Sequence, residues 1–236
     1  MIDVNQLEFG LETFGDIVAN ADGSLQSAGE SLRQIVREGQ LADQYGLDVF
    51  GIGEHHRPDY SVSSPETVLA ATAAVTQHIK LASAVTVLSS DDPVRVYERF
   101  ATLDGLSNGR AQVMLGRGSF TESFPLFGYD LTDYDDLFNE KLALYDQLRT
   151  EKPVTWSGKF RASLTNQDVY PKTATGELET YIGIGGSPES IIRAAKIGYK
   201  VIIAIIGGRA DRFKPYIKLY HDCLLYTSPS PRDKRQ

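Results

Sequence analysis

Apolar positions along this chain alternate between short runs and helical spacing, over and over. Leu7–Leu11 reads as a first strand, ending in Glu12 and Thr13. Ser27-Ala28-Gly29-Glu30 is a capping box, after which Leu32, Ile35, Val36, Ala42 and Tyr45 mark one apolar helix face. Asp48–Gly53 is a second strand, closed by Glu54-His55-His56. Ser64-Pro65-Glu66 opens the next helix, with Val68, Leu69, Thr72 and Val75 turned inward. Lys80–Leu88 is nearly all apolar, as a strand covered on both faces should be. Asp91-Asp92-Pro93 opens a helix to about Leu106, and Asn108-Gly109 stops it. Ala111–Leu115 and Tyr181–Ile184 are the fourth and fifth strands, and Val201–Ile206 is the sixth. The fifth turns through Gly185-Gly186-Ser187-Pro188 into a helix carrying Ile191, Ile192 and Ala195, and the sixth leads through Gly207-Gly208 into a helix from about Arg209 to His221.

Six strand–helix repeats in succession predict an α/β fold with a parallel sheet, because each helix is the crossover that a parallel pair needs. The connection over about 119–179, between strands four and five, is the exception. It holds Phe120–Gly128, a helical stretch near Tyr134–Arg149 and a hairpin-like stretch, Trp156–Tyr170. Connections this long are functional or inserted, and this one is expected over the mouth of the sheet. Residues 1–222 read as one domain. Residues 223–236, with two prolines, a basic end and no period, read as a foreign tail outside the fold.

Composition narrows the function. Of 236 residues, 42% are hydrophobic and 23% charged, which suits a soluble globular protein. The net charge of −7 argues against nucleic acid or an anionic membrane as the main partner. No signal peptide pattern opens the chain, and no apolar run is long enough to cross a bilayer, so a cytoplasmic location is expected. The single cysteine, Cys223, allows neither a disulfide framework nor a cysteine metal site.

In parallel α/β folds the chemistry gathers at the C-terminal ends of the strands. Those ends carry Glu12, Glu54-His55-His56, Arg117 and the Gly185-Gly186-Ser187 turn, with Ser190 one turn into the following helix. The turn aims unpaired amides and a helix dipole at one point, where a phosphate fits. Arg117 adds a guanidinium fork to that clamp. Adjacent histidines point to opposite sides of a strand, which disfavours a shared metal, so no metal site is expected. Either histidine can line the pocket as a neutral imidazole, or both can be surface-loop residues.

Glu54-His55-His56, Asp92-Pro93-Val94-Arg95, Leu103–Arg110, Leu115-Gly116-Arg117-Gly118, Phe127-Gly128 and the Gly-Gly-Ser-Pro-Glu-Ser turn together make the chain similar to the bacterial luciferase-like family of flavin-dependent oxidoreductases. That resemblance implies a (β/α)8 barrel of the TIM type, of which about six repeats are present, and reduced FMN, or a deazaflavin, as cofactor. It implies phosphate contacts at Arg117, Gly185, Gly186, Ser187 and Ser190, histidines His55 and His56 beside the flavin ring, and a non-proline cis peptide at Ala84-Val85 beneath it. Glu12 and Glu54 would face the substrate pocket. Gly116 stands where the light-emitting subunit has a reactive cysteine, so light emission is not implied. The function expected is a monooxygenase using O2 on a small organic substrate, with a separate flavin reductase and homo-oligomers in a full-length form. The alternatives are a deazaflavin-dependent dehydrogenase, a phosphosugar-binding barrel enzyme and a flavin-binding protein without turnover. The barrel is expected to be C-terminally truncated and its open strand edges to leave the chain poorly soluble.

Overall fold

Each Ser-Pro or Asp-Pro pair marked in the sequence starts a helix in the computed structural model, which describes residues 6–227. The chain divides after Glu179 into two units. In the first, β1 (Gly10–Thr13), β2 (Val49–Ile52) and β3 (Lys80–Ser83) pair in parallel in that order. β3 and its continuation β4 (Thr86–Val87) both pair in parallel with β5 (Ala111–Gly116). The crossovers are α1 (Ala28–Gln44), α2 (Pro65–Ala73) and α3 (Pro93–Ser107). Ser27 and Glu30 form the capping box on α1, and the Asp92 carboxylate caps α3 through the amides of Val94 and Arg95. Phe50, Ile52, Leu69, Ile79, Leu81, Val96, Phe100, Leu103, Val113 and Leu115 are buried in this unit's core. Each such side chain contributes about 1.5–3 kcal/mol over leaving it in water. Gly39 lets α1 lie close, since a Cβ there would sit 2.5 Å from Thr72 and 2.9 Å from Phe50.

The connection after β5 holds α4 (Ser123–Leu126), α5 (Tyr134–Leu148) and a two-stranded antiparallel hairpin, β6 (Val154–Trp156) with β7 (Leu164–Gln167). The second unit holds most of β8 (Glu179–Ile184), then α6 (Pro188–Lys196), β9 (Lys200–Ile203) and α7 (Lys214–Thr227). β8 and β9 pair in parallel, and Tyr220 on α7 donates to the Tyr199 carbonyl at 2.6 Å.

Several boundaries differ from the sequence expectation. β1 lies three residues later than Leu7 because Gly10 is where the backbone can approach Val49; a Cβ would come within 2.9 Å of the Val49 carbonyl. Leu7 and Phe9 stay exposed. The third strand is not continuous: it breaks at a cis Ala84–Val85 peptide, the position implied by the resemblance. β9 ends at Ile203, and Ile205 and Ile206 are exposed. Tyr45 caps the end of α1 in solvent instead of joining its buried face, and Val75 is likewise exposed. α7 runs on to Thr227, past the expected boundary at Asp222; residues 228–236 of the expected tail lie outside the described residues. Among the described residues no helix is long and apolar enough to cross a membrane.

Two polar anchors hold the ends of these elements. Arg110, last residue of the Leu103–Arg110 motif, donates to the carbonyls of Ala73, Thr76, Ile79 and Ser107 and to Thr76 Oγ1 at 2.7–3.3 Å. The motif is therefore a structural tie between α2, β3 and α3. Asp43 accepts from the amides of Gln77, His78 and Ile79 at 2.9, 2.9 and 2.7 Å. Burial alone would raise its pKa, but the three amides, helped by His78, outweigh it and hold the carboxyl below its usual 3.8. A lowered native pKa gives stability that is complete above the unfolded value, about 3.9, and lost as pH falls through the native one. Asp43→Asn should therefore cost about 1.5–3 kcal/mol in urea melts at pH 7, and the gap to wild type should narrow below about pH 4. A gap unchanged by acid would contradict this account.

Candidate functional site

The strand ends of the first unit bring Glu12, Glu54, His55, His56 and the Ala84–Val85 peptide together, and glycine makes that possible. A Cβ on Gly51 would lie 2.9 Å from Glu12 Cγ and 3.2 Å from Ala84 Cβ. On Gly53 it would lie 2.8 Å from His55 Cε1 and 3.3 Å from the Phe14 ring. On Gly116 it would lie 2.5 Å from Val85 Cγ2. Val85 thus occupies the volume that a side chain at 116, a cysteine included, would need.

The two histidines are held in opposite ways. His55 Nδ1 lies 3.0 Å from the Phe14 carbonyl, which can only accept, so the proton sits on Nδ1 and Nε2 presents its lone pair. Its ring stacks on Tyr60 at 4.2 Å and meets the edges of Phe14 and Phe120 at 5.6 and 5.5 Å. Burial is the main cause that lowers its pKa below 6.5, with His56 adding; the Phe14 carbonyl, Asp16 and Glu54 pull weakly the other way. His55 is neutral at pH 7. His56 instead lies with Nε2 2.9 Å from Glu54 Oε1, and Glu54 Oε2 accepts the Val87 amide at 2.8 Å. A Glu54 carboxylate therefore puts the His56 proton on Nε2 and leaves Nδ1 as the acceptor. Phe127 packs its ring against His56 at 5.1 Å.

Around this pair the carboxyl of Glu12 is desolvated, which pushes its pKa above 4.5. Arg57 lies over Phe120 at 4.4 Å, grips Asp59 with two nitrogens and donates to Glu122 Oε1 at 2.8 Å. Thr86 Oγ1 and Ser89 Oγ, both buried just after the cis peptide, have no hydrogen-bond partner among the described residues. Phe14, Tyr60 and Phe120 were not singled out from the sequence. The available signal was an aromatic ring close behind strand-end polar residues, in Glu12-Thr13-Phe14 and Arg117-Gly118-Ser119-Phe120. Among the described residues no cluster of three His, Cys, Asp or Glu could hold a metal ion.

Arg117 donates to Asp135 Oδ1 at 2.5 Å, and its guanidinium lies 5.2 Å from the centre of the Tyr134 ring. In the second unit, Ser187 caps α6 by accepting the Ser190 amide at 3.2 Å, with Gly186 at φ +115° before it. The first-turn donors there are partly taken. The Glu189 carboxyl is held below 4.5 by its own amide and by the Ser187 hydroxyl, 3.0 Å away.

Residues 13–223 match the luciferase-like monooxygenase family. The chain is 30% identical over 197 residues to the N-acetyl-S-alkylcysteine monooxygenase of Bacillus subtilis (strain 168), covering 81% of this chain and 57% of that protein. Among solved structures, monooxygenase RslO1 from Streptomyces bottropensis superposes with a TM-score of 0.82 at 25% identity, over 95% of this chain and 68% of that one. The oxygenating constituent of 3,6-diketocamphane monooxygenase from the CAM plasmid of Pseudomonas putida, in complex with FMN, gives 0.78 at 20% identity, over 95% and 64%. The chain spans about half the length of the curated relatives it matches.

The contact between Gly116 and Val85 is testable by itself. Gly116→Ala should destabilise the protein by about 1–3 kcal/mol, the cost of overpacking. Adding Val85→Ala should recover much of that loss in the double variant. A double variant with no recovery would show that Val85 is not what excludes a side chain at 116.

Proposed function

The chain belongs to the luciferase-like monooxygenase family, and on that premise we propose a flavin-dependent monooxygenase that uses reduced FMN and O2 on a small organic substrate. The observation that carries the reading is His55, a neutral imidazole boxed by three aromatic rings with its Nε2 lone pair left available. The residues present suit a flavin. The buried hydroxyls of Thr86 and Ser89, just beyond the Ala84–Val85 peptide, lack partners among the described residues, and the glycines at 51, 53 and 116 let Glu12, His55 and Val85 converge on that peptide. Bound there, reduced FMN supplies the electrons that let one oxygen atom of O2 pass to a substrate.

The chain's own part is positioning and proton handling. Ala84 and Val85 form the bed for the ring, while Phe14, Tyr60, Phe120 and Phe127 keep water from the histidines. His55 Nε2 accepts a proton and His56 presents Nδ1, each in a tautomer fixed by its partner. Glu12, with its raised pKa, faces the substrate side, while Glu54, expected there too, has both oxygens taken by His56 and the Val87 amide and supports the histidine instead. Arg117 is proposed as a phosphate contact, reached by exchanging Asp135 for the phosphate. Gly185, Gly186, Ser187 and Ser190 are proposed as a phosphate-binding turn on their own geometry, with Glu189 as the group an anion must displace. A separate flavin reductase is the proposed source of reduced FMN.

Flavin fluorescence titrations test the binding half of this reading. FMN should bind saturably, and Arg117→Ala should weaken it by about 1.5–3 kcal/mol while leaving riboflavin, which lacks the phosphate, unchanged. Equal losses for both flavins would remove Arg117 from the phosphate site, and no saturable binding would defeat the proposal.

His55 carries the catalytic half. His55→Gln should cut turnover by about 10²–10⁴-fold with little change in FMN affinity. Because the pKa of His55 lies below 6.5, wild-type kcat/KM should show no loss as the pH is lowered from 8 to 7 and should fall only on the acid side of 6.5. Full turnover in His55→Gln, or a fall beginning above pH 7, would exclude His55 as the base.

A further inference from the structure

Lys141 is the one lysine on the buried face of α5. That face is otherwise apolar: Leu137, Phe138, Leu142, Leu144, Tyr145 and Leu148 are buried with it. Only 2% of Lys141 is exposed. Its Nζ donates to the Ser89 carbonyl at 2.7 Å and lies 3.8 Å from the centre of the Tyr129 ring. Desolvation lowers its pKa to about 8, while the charges of Asp91, Asp92 and Glu140 favour the ammonium. A buried cation with one carbonyl and one ring is a poor bargain for stability, since an apolar side chain of the same shape usually does as well or better there.

What Lys141 touches gives it a use. Ser89 belongs to the short 3-10 turn Leu88–Ser90, which follows β4 directly, and Leu88 and Ser89 are fully buried. Val87, the residue before that turn, donates its amide to Glu54 Oε2, and Glu54 Oε1 faces His56 Nε2. A continuous path of contacts therefore runs from α5 through the turn to the imidazole: Lys141 to Ser89, Val87 to Glu54, Glu54 to His56. The groups around its far end are Glu54, His55, Phe127 and, from α2 and α3, Glu66 and Arg99, and those around its near end are Tyr129, Asp91, Asp92 and Glu140.

We propose that Lys141 is a positioning residue: by clamping the Leu88–Ser90 turn it aims the Glu54 carboxylate and so fixes the proton of His56 on Nε2. The proposal rests on the reading that His56 belongs to the flavin site, and it assigns the inserted segment a role in that site's chemistry. Lys141 itself reaches no reacting atom.

The test is nitrogen-15 NMR of the histidine rings in the full chain, in Lys141→Met, in Lys141→Arg and in Leu144→Ala, a control that loosens α5 without touching the path. Wild type, Lys141→Arg and Leu144→Ala should each show a slowly exchanging His56 Nε2 proton. In Lys141→Met that proton should exchange with water about tenfold faster, the scale of one lost hydrogen bond. No such proton in wild type, an unchanged one in Lys141→Met, or an equal acceleration in Leu144→Ala would overturn the proposal. Should Lys141→Met not fold, wild type decides. On raising the pH from 7 to 9, the His56 ring nitrogens should shift together with the Lys141 Cε signal, and should not shift in Lys141→Arg over the same range. A His56 signal indifferent to the Lys141 titration overturns the proposal. FMN titration of the same samples reads the flavin assignment separately, so either can fail alone.

Discussion

The Glu54 carboxylate is the joint on which the strand ends depend. Its side chain is 7% exposed, and a carboxylate so placed needs donors for both oxygens. One comes from the Val87 amide on the far side of the Ala84–Val85 break, the other from His56 on its own strand end. One side chain thus ties β2 to the segment beyond β3. Arg99, itself paired with Glu66 and Asp91, adds positive charge nearby. Removing the carboxylate would strand a buried amide and leave the His56 tautomer undetermined.

His55 follows the same logic with a different partner. A backbone carbonyl can only accept, so Phe14 fixes the opposite tautomer one residue along the chain. Two adjacent imidazoles, each in its neutral form, consequently offer lone pairs from different ring nitrogens. This division of roles depends on glycine at 51, 53 and 116, where any side chain would push Glu12, His55 or Val85 out of place. The aromatic rings and the Arg57 clamp to Asp59 and Glu122 then close the loops around the pair.

Helix starts were legible because their determinants are local. Ser27, Ser64, Asp92 and Ser187 each stand before a helix in the way a cap or a following proline dictates. Strand limits were less so. Leu7 and Phe9 are apolar, yet the strand begins only where Gly10 permits close approach to Val49, a partner nearly forty residues away. Nothing in the composition of Lys80–Leu88 marks the break at Ala84–Val85; only the family resemblance placed it. The histidines could be assigned to a strand end, but not their tautomers, because the Phe14 carbonyl reaches His55, and the Val87 amide holds the Glu54 carboxylate against His56, only through the fold. Lys141 did leave a trace: a lysine in register with Leu137, Tyr145 and Leu148, at three- and four-residue spacing, on an apolar stripe.

The central claim is that the end of β2, with its two differently held histidines, is where the flavin binds. Titrating FMN into the nitrogen-15-labelled chain and following all four histidine rings tests it most directly, with His78, ahead of β3 at the opposite end of the sheet, as internal reference. The account predicts that the ring signals of His55 and His56 move saturably with one equivalent of FMN while that of His78 stays still. Saturable FMN binding that leaves His55 and His56 unmoved would place the cofactor elsewhere and contradict it.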